Sequence, residues 1–498
     1  MSAGILIWLV FKLDIVLRPP KNIRHIPYFS TFGALRSFIM KERYKDAALH
    51  TSLPEINSPE SKGIYIKPGR HGWPIYVSDP VAAKKVFVDH DFFPKKNLTV
   101  SFPNSLLVRF MGGSNLFLAN GEAWRFQRKL ISPAFHRSST IRMFGLLAQE
   151  LFLTMDKLDE TVDWSDLTRR FALDSIGLAG FGFDFKAIKE GKSEWLLTYE
   201  KILKGFTDKL YFIFPFLDKH FLWMQPERRA IHQELDRFLE MIDGVIESKR
   251  QELKEGKILN SLLNEKDLLT LLLEAEAKGE DSLTNEELKR NICLFFFAGH
   301  DTTACALSAA VYYLAKNQDI QQRARMEAIH ILGDEPEDIL PILEQTKQMT
   351  YLNQIMFEAL RMSSPGPQIS PRIATEDTEL GGVFIPKGSK VIVNIYDLHH
   401  SEKLWKDPFV FNPERFAEGG EAARAAGEGV SWAPFTSGGR QCVGMNFSLY
   451  EQRVLLSMLL RKFTFTLPKN SIHQNELIMD GTLVLSPVNL NIVFKKRY

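Results

Sequence analysis

The residues best suited to chemistry lie in one ten-residue run, Phe435-Thr-Ser-Gly-Gly-Arg-Gln-Cys-Val-Gly444. It sets Cys442 in a glycine-rich loop just ahead of a helical pattern over Asn446–Leu460. A lone cysteine is more often an inert core residue than a metal ligand, but here the neighbours favour a thiolate. Gly438 and Gly439 permit backbone angles that turn a loop beneath a flat group and leave amide N–H groups to aim at sulfur. The helix start brings the positive end of its dipole to the same place, and such surroundings lower a thiol's pKa. Arg440, two residues before the sulfur, is placed to reach a carboxylate. Gly444 removes a side chain where the helix approaches the bound group. The pattern F-x-x-G-x-R-x-C-x-G fixes five of ten positions, which chance seldom supplies.

A second set lies within Asn291–Leu314, a stretch apolar nearly all round that predicts a buried helix. It contains Ala298, Gly299, Asp301, Thr302 and Thr303. A kinked core helix is one reading, because glycine and back-bonding threonine both bend helices. Polar groups in such a helix are expensive unless they pair or work. A hydroxyl such as that of Thr302 can donate a hydrogen bond, and a carboxylate such as that of Asp301 can relay protons through water. Thr302 follows Ala298 by four residues, so both can face one surface. Three smaller pairings complete the candidates. Glu358 and Arg361 are neighbours on a helix; on a surface such a pair would be worth little. Trp124 and Arg128 are four apart and can share one carboxylate through indole N–H and guanidinium. Arg372 follows a turn rich in proline (Pro365, Pro367, Pro371).

Most of the chain around these groups reads as amphipathic helix. Patterns around Glu194–Thr207 and Pro226–Lys254 flank an aromatic connector, Leu210–Met224, that breaks helical periodicity at Pro215. Strand signals are short. Residues 63–66 and 74–77 predict a hairpin turning at Gly69–Gly72, residues 383–388 and 390–394 a second, and 484–494 a last pair. The run 418–429 reads as a surface loop. Length alone gives a prior of roughly three domains. No repeat and no low-complexity linker divides the chain, so a mainly α single domain with small β-sheet patches is expected over residues 28–498.

The Cys442 loop resembles the haem-binding signature of the cytochrome P-450 family at every fixed position. Further matches follow in that family's order. Glu358-Ala-Leu-Arg361 resembles its E-x-x-R motif, and Pro413-Glu414-Arg415-Phe416 its P-E-R-F segment. Ala298-Gly-His-Asp-Thr-Thr303 resembles its oxygen-activation motif, and Trp124-x-x-x-Arg128 its haem-contacting helix. The resemblance spans roughly residue 25 to the C-terminus. It implies the cytochrome P-450 fold and haem b (iron protoporphyrin IX), with Cys442 as axial ligand to the iron. Cofactor contacts would come from Arg440, Trp124, Arg128, Arg372, Phe435, Gly444 and Ala298. Glu358, Arg361 and Arg415 would form a buried brace, and Asp301 and Thr302 would be the catalytic pair. The implied reaction is monooxygenation of a lipophilic small molecule. Its pocket would be lined by 100–117, 206–210, 296–302, 368–370 and 481–484. No flavin, nicotinamide or iron–sulfur motif is present, so electrons would come from a membrane-bound NADPH-dependent flavoprotein reductase, with Arg125 and Lys129 as docking candidates. His399 and His400 are not expected to be ligands. Branches that hydroxylate fatty-acid ends often carry Glu at the position of Ala298, where it can esterify the haem; Ala298 cannot.

Composition bounds the alternatives. With 62 Lys plus Arg against 60 Asp plus Glu, the net charge is +2, and there is no global field to attract nucleic acid. The 45% hydrophobic and 24% charged content excludes a disordered or polytopic membrane chain. Three cysteines give no disulfide framework. Cys293 and Cys305 sit twelve apart on one predicted helix, about 18 Å at 1.5 Å per residue, beyond bridging distance. Residues 1–17 read either as a short membrane anchor, followed by a proline and basic hinge over 18–27, or as a buried helix. The connector 210–224 either packs on the core or dips into a membrane surface. The expected location is the endoplasmic reticulum membrane, with the catalytic domain facing the cytosol. A reductase-independent isomerase or dehydratase acting on peroxides, and a non-catalytic haem sensor, are the competing readings. The intact Asp301-Thr302 pair argues against both.

Overall fold

The structure, a computed structural model, describes residues 17–135, 140–191, 193–256, 266–279, 281–481 and 483–498. The possible anchor therefore lies outside the described residues except for Leu17. The chain is mainly α-helical with small separate sheets, and its backbone contacts group into two compact units.

The first unit comprises Met1–Lys96, Gly366–Val410 and Glu418–Cys442. It is built on a four-stranded sheet in the order Ile64–Ile66, Ile75–Val77, Lys390–Val393, Arg372–Ile373. The first pair is the antiparallel hairpin that the glycine turn predicts. Lys390–Val393 runs parallel to Ile75–Val77 and antiparallel to Arg372–Ile373. It does not pair with Val383–Ile385, which folds back on Thr378–Leu380 through Gly381 and Gly382, both left-handed. The expected second hairpin is thus wrong: an inner strand buried on both faces reads as a continuous apolar run, and its partners are remote in sequence. The Pro80–Val88 helix starts with Asp79 accepting from the Ala82 N–H at 2.8 Å and packs Val86 and Phe87 into this core. The run 418–429 carries a short helix, Glu421–Ala426, rather than a plain loop.

The second unit comprises Asn97–Pro365, Phe411–Ala417 and Val443–Tyr498. Its longest element is the Asn285–Lys316 helix, opened by a capping box between Thr284 and Glu287. This helix packs against Trp164–Ile176, Thr350–Met362 and Met445–Lys462. Among the described residues it alone is long and apolar enough to cross a membrane, but its apolar window is mostly buried inside the protein. Helices Glu194–Thr207 and Pro226–Lys254 form with the bounds that periodicity predicts and pack on each other. The connector between them folds into short turns of helix at Lys209–Ile213, Phe216–His220 and Leu222–Met224. The expected C-terminal strand pair is also corrected. Asn491–Lys496 pairs with Phe463–Thr466 and Thr161–Asp163, whereas Ser486–Pro487 pairs with Met479–Asp480.

Candidate active site

Within the first unit, the Cys442 loop is turned by two left-handed residues, Thr436 (φ 59°) and Gly438 (φ 71°). A Cβ on Gly438 would lie 3.0 Å from the Phe87 carbonyl oxygen, so the close approach to the Pro80–Val88 helix requires glycine. Gly439 is not left-handed; the second special conformation falls on Thr436, which composition did not flag. The Cys442 N–H donates to the Phe435 carbonyl at 3.0 Å, closing the loop on itself. Cys442 is exposed, while Cys293 and Cys305 are both buried on the Asn285–Lys316 helix. Burial pushes those two thiols up, Cys293 to about 12, which leaves them protonated.

The same unit gathers cations. Arg372 lies in a short strand, buried, with Nη1 donating to the Phe93 carbonyl at 3.4 Å. Its Nε is buried without a hydrogen-bond partner among the described residues. Burial lowers its guanidinium to about 10. Lys95 bridges to Arg372 through the backbone. Burial, then the charges of Arg372 and Arg440, hold the Lys95 ammonium well below its ordinary value. A positive cluster of this kind, with the Arg372 Nε donor unmet among the described residues, suits a negatively charged group. Sequence reasoning named two of them and missed Lys95, whose signal is the basic pair Lys95-Lys96 placed after Phe92-Phe93. The neighbouring histidines are structural: His399 Nε2 accepts from the Ala433 N–H at 3.0 Å, and His400 stacks on Tyr396.

In the second unit, the Asn285–Lys316 helix is buried almost throughout, yet it opens at one window. Ala298 is exposed, and Phe297, Gly299 and Thr302 are half-buried, between fully buried stretches on either side. Thr302 Oγ1 donates to the Ala298 carbonyl at 2.6 Å, so both lie on this face. Asp301, the next residue back, turns inward and is buried. Its Oδ2 accepts from the Tyr199 hydroxyl at 2.6 Å. Rings of Phe110, Phe206 and Phe297 meet at centroid distances of 5.3 to 6.4 Å, giving this side an apolar wall. Trp124 is buried and Arg128 half-buried on the Gly121–Phe135 helix, and Arg125 and Lys129, one position further along, are exposed. Gly444 caps the start of Met445–Lys462, an 18-residue helix.

The brace is fully assembled in this unit. Glu358 and Arg361, on Thr350–Met362, are both completely buried, and Arg415 is 4% exposed. Arg361 donates to Glu358 through Nε at 2.7 Å and Nη2 at 2.9 Å. Arg415 Nε and the Asn412 N–H donate to the same carboxylate at 3.3 and 3.0 Å.

In the first unit, an accessible sulfur in a tight loop and a buried arginine with an unmet donor among the described residues suit an anionic, metal-bearing group; the second unit separately carries a small-residue window on a buried helix. The comparisons agree with that chemistry. The family model described as Cytochrome P450 matches residues 65–494. The chain is 31% identical over 395 residues to cytokinin hydroxylase of Arabidopsis thaliana, covering 76% of this chain and 72% of that protein. It is 30% identical over 427 residues to 11-oxo-beta-amyrin 30-oxidase of Glycyrrhiza uralensis, covering 80% and 75%. To cytochrome P450 3A5 of Homo sapiens it is 29% identical over 403 residues, covering 78% and 76%.

Proposed function

The chain belongs to the cytochrome P450 family and is a haem-thiolate monooxygenase; on that premise we propose that it oxygenates a lipophilic small molecule with electrons from an external NADPH-dependent flavoprotein reductase. The observation that carries the site assignment is the Cys442 loop, where an exposed sulfur stands two residues from a member of the Lys95, Arg372 and Arg440 cluster.

Cys442 would ligate the iron of haem b. Arg372, Arg440 and Lys95 would neutralise the cofactor's carboxylates, with Trp124 and Arg128 as further donors. Phe435 and Gly444 would shape the loop around it. When bound, the haem activates dioxygen, so that one oxygen atom enters the substrate and the other leaves as water. The rest falls to this chain. Ala298 and Gly299 leave room on the helix face. Thr302, whose proton is engaged by the Ala298 carbonyl, presents oxygen lone pairs to that face. Asp301 holds and passes protons from the buried side. The Phe110, Phe206 and Phe297 wall excludes water and favours an apolar substrate.

We further propose that the protein works at a membrane surface, that of the endoplasmic reticulum, with the catalytic domain towards the cytosol. In the connector, Leu210, Phe214, Phe216, Phe221, Trp223 and Met224 are 42% to 72% exposed, which a water-facing surface does not favour. In the first unit, Phe32, Leu35 and Ile39 form an exposed apolar stripe on the Thr31–Ile39 helix. Exposed Lys129 is a docking candidate for the reductase; Arg125 is ion-paired with Glu122 at 2.5 Å.

The deciding experiment reconstitutes haem-replete protein with reductase and NADPH. It records the reduced, carbon-monoxide-bound spectrum and screens lipophilic compounds for reductase-dependent oxygenated product. A thiolate-type spectrum with turnover that needs the reductase is expected. Folded protein that takes up no haem, or product formed without reductase, overturns the proposal.

A further inference from the structure

Asp301 and Thr302 are adjacent but face different ways. Thr302 looks out through the window, whereas Asp301 is buried with Oδ2 held by the Tyr199 hydroxyl at 2.6 Å. Tyr199 belongs to another element, the Glu194–Thr207 helix. Its fully buried ring is packed by Phe238, Phe296 and His300. A buried phenol next to a carboxylate has one role available at neutral pH. Burial, then the charge of Asp301, push the phenol well above its ordinary value, so it stays a neutral donor.

The other titratable and charged groups facing this pair are few. His300 Nδ1 is 3.8 Å from Asp301 Oδ1, and burial lowers that imidazole, which keeps it neutral. Cys305, one turn along the same helix, has a thiol pushed up by burial. Arg169, on the Trp164–Ile176 helix, acts on His300. Among the described residues, the Tyr199 hydroxyl is a donor that reaches the Asp301 carboxylate from outside its own helix.

We propose that Tyr199 is a positioning residue for proton delivery: its hydroxyl holds the Asp301 carboxylate in one orientation and ties it to the position of the Glu194–Thr207 helix. This rests on Asp301 being the proton carrier, as proposed above. A carboxylate stripped of a donor in a buried site favours its protonated form and loses its fixed rotamer. Movement of the Glu194–Thr207 helix, which carries Phe206 of the apolar wall, would then register directly at the proton carrier.

The test compares wild type, Tyr199→Phe, Tyr199→Gln and Asp301→Asn as haem-replete proteins with reductase. It reads kcat and KM across pH, the fraction of NADPH electrons recovered as hydrogen peroxide, and infrared spectra of protein labelled with carbon-13 at aspartate carboxyls. Tyr199→Phe keeps the ring volume. It should lower kcat several-fold with KM little changed, move the acid limb of the profile up by half a pH unit or more, and at least double the peroxide fraction. The infrared signal of one protonated carboxyl should persist to higher pH in Tyr199→Phe and be absent from Asp301→Asn. Tyr199→Gln, which restores an N–H donor, should recover part of each change. Wild-type profiles and peroxide yield in Tyr199→Phe overturn the proposal. A Tyr199→Gln protein no better than Tyr199→Phe assigns the effect to ring packing and also overturns it. If Asp301→Asn itself leaves product and peroxide unchanged, the proton-carrier assignment fails first, whatever Tyr199→Phe shows.

Discussion

Removal of the Glu358 carboxylate should prevent accumulation of folded, haem-loaded protein rather than slow its turnover. The carboxylate accepts four hydrogen bonds, two from Arg361 and one each from Arg415 and the Asn412 N–H. The three charged groups are out of solvent: Glu358 and Arg361 are fully buried and Arg415 nearly so. Breaking a buried ion pair by deleting one partner costs about 3–5 kcal/mol. In Glu358→Ala two buried guanidinium groups lose their carboxylate at once. The loss approaches the whole stability of a typical domain, about 5–15 kcal/mol.

The geometry also ranks the variants. Arg361→Ala should be nearly as severe as Glu358→Ala, because it removes the two shortest bonds. Arg361→Lys should rescue little, since an ammonium cannot supply the two-pronged contact. Arg415→Ala should be milder, because one 3.3 Å contact is lost and Arg361 still satisfies the carboxylate. The assay is soluble yield, thermal melting and the reduced carbon-monoxide spectrum on the same preparations. An Arg361→Ala protein that melts like wild type, carries a full complement of haem and is merely inactive would refute the reasoning, since it would make the cluster a working group rather than a brace.

Three further outcomes are expected. Thr302→Ala should keep NADPH consumption but divert it to peroxide, with product yield measured against NADPH; an unchanged yield removes Thr302 from the mechanism. Acidified organic solvent should extract the haem completely, because Ala298 offers no carboxyl for an ester bond; haem retained on a denaturing gel would show the assignment of Ala298 to be wrong. The third concerns Asp218. Burial opposes its ionisation, but Arg228 and His232 donors and the Arg228 charge prevail and hold the carboxyl at about 2, below the ordinary 3.8. A depressed carboxyl stabilises the fold above its unfolded pKa and loses that contribution as pH falls towards 2. At about 1.4 kcal/mol per pH unit the contribution is roughly 2 kcal/mol. The unfolding free energies of wild type and Asp218→Asn should therefore differ at pH 6 and converge as pH falls through about 2.

What the sequence made legible divides along a physical line. Helices are local, so periodicity located Glu194–Thr207 and Pro226–Lys254 at their ends. The hairpin at Gly69–Gly72 was legible for the same reason, because its pairing is closed by its own turn. The strand Lys390–Val393 was misassigned because its partners, Ile75–Val77 and Arg372–Ile373, are fixed by tertiary packing that no local pattern encodes. The C-terminal strands failed likewise: Asn491–Lys496 finds its partners at Phe463–Thr466 and Thr161–Asp163.

The site follows the same division. Groups that act through a short motif, such as Cys442 with Arg440 or Glu358 with Arg361, could be read from spacing. Lys95 and Tyr199 could not, because each matters through a charge or a carboxylate remote in sequence: Arg372 for the first and Asp301 for the second. Tyr199 is also a single hydroxyl in apolar surroundings, among Phe238 and Phe296. A buried polar side chain needs a partner, so each such residue is a demand for an unseen one. The demand at Tyr199 is met by Asp301 within the protein. The buried Arg372 Nε finds no acceptor among the described residues, and beside the charges of Lys95 and Arg440 it suits a negatively charged group. A haem-free preparation should therefore bind the metal-free porphyrin dicarboxylate, and Arg372→Leu should weaken that binding at least tenfold even though no iron–sulfur bond is at stake. Equal affinity in the two proteins would mean that the three cations serve something other than the cofactor's carboxylates.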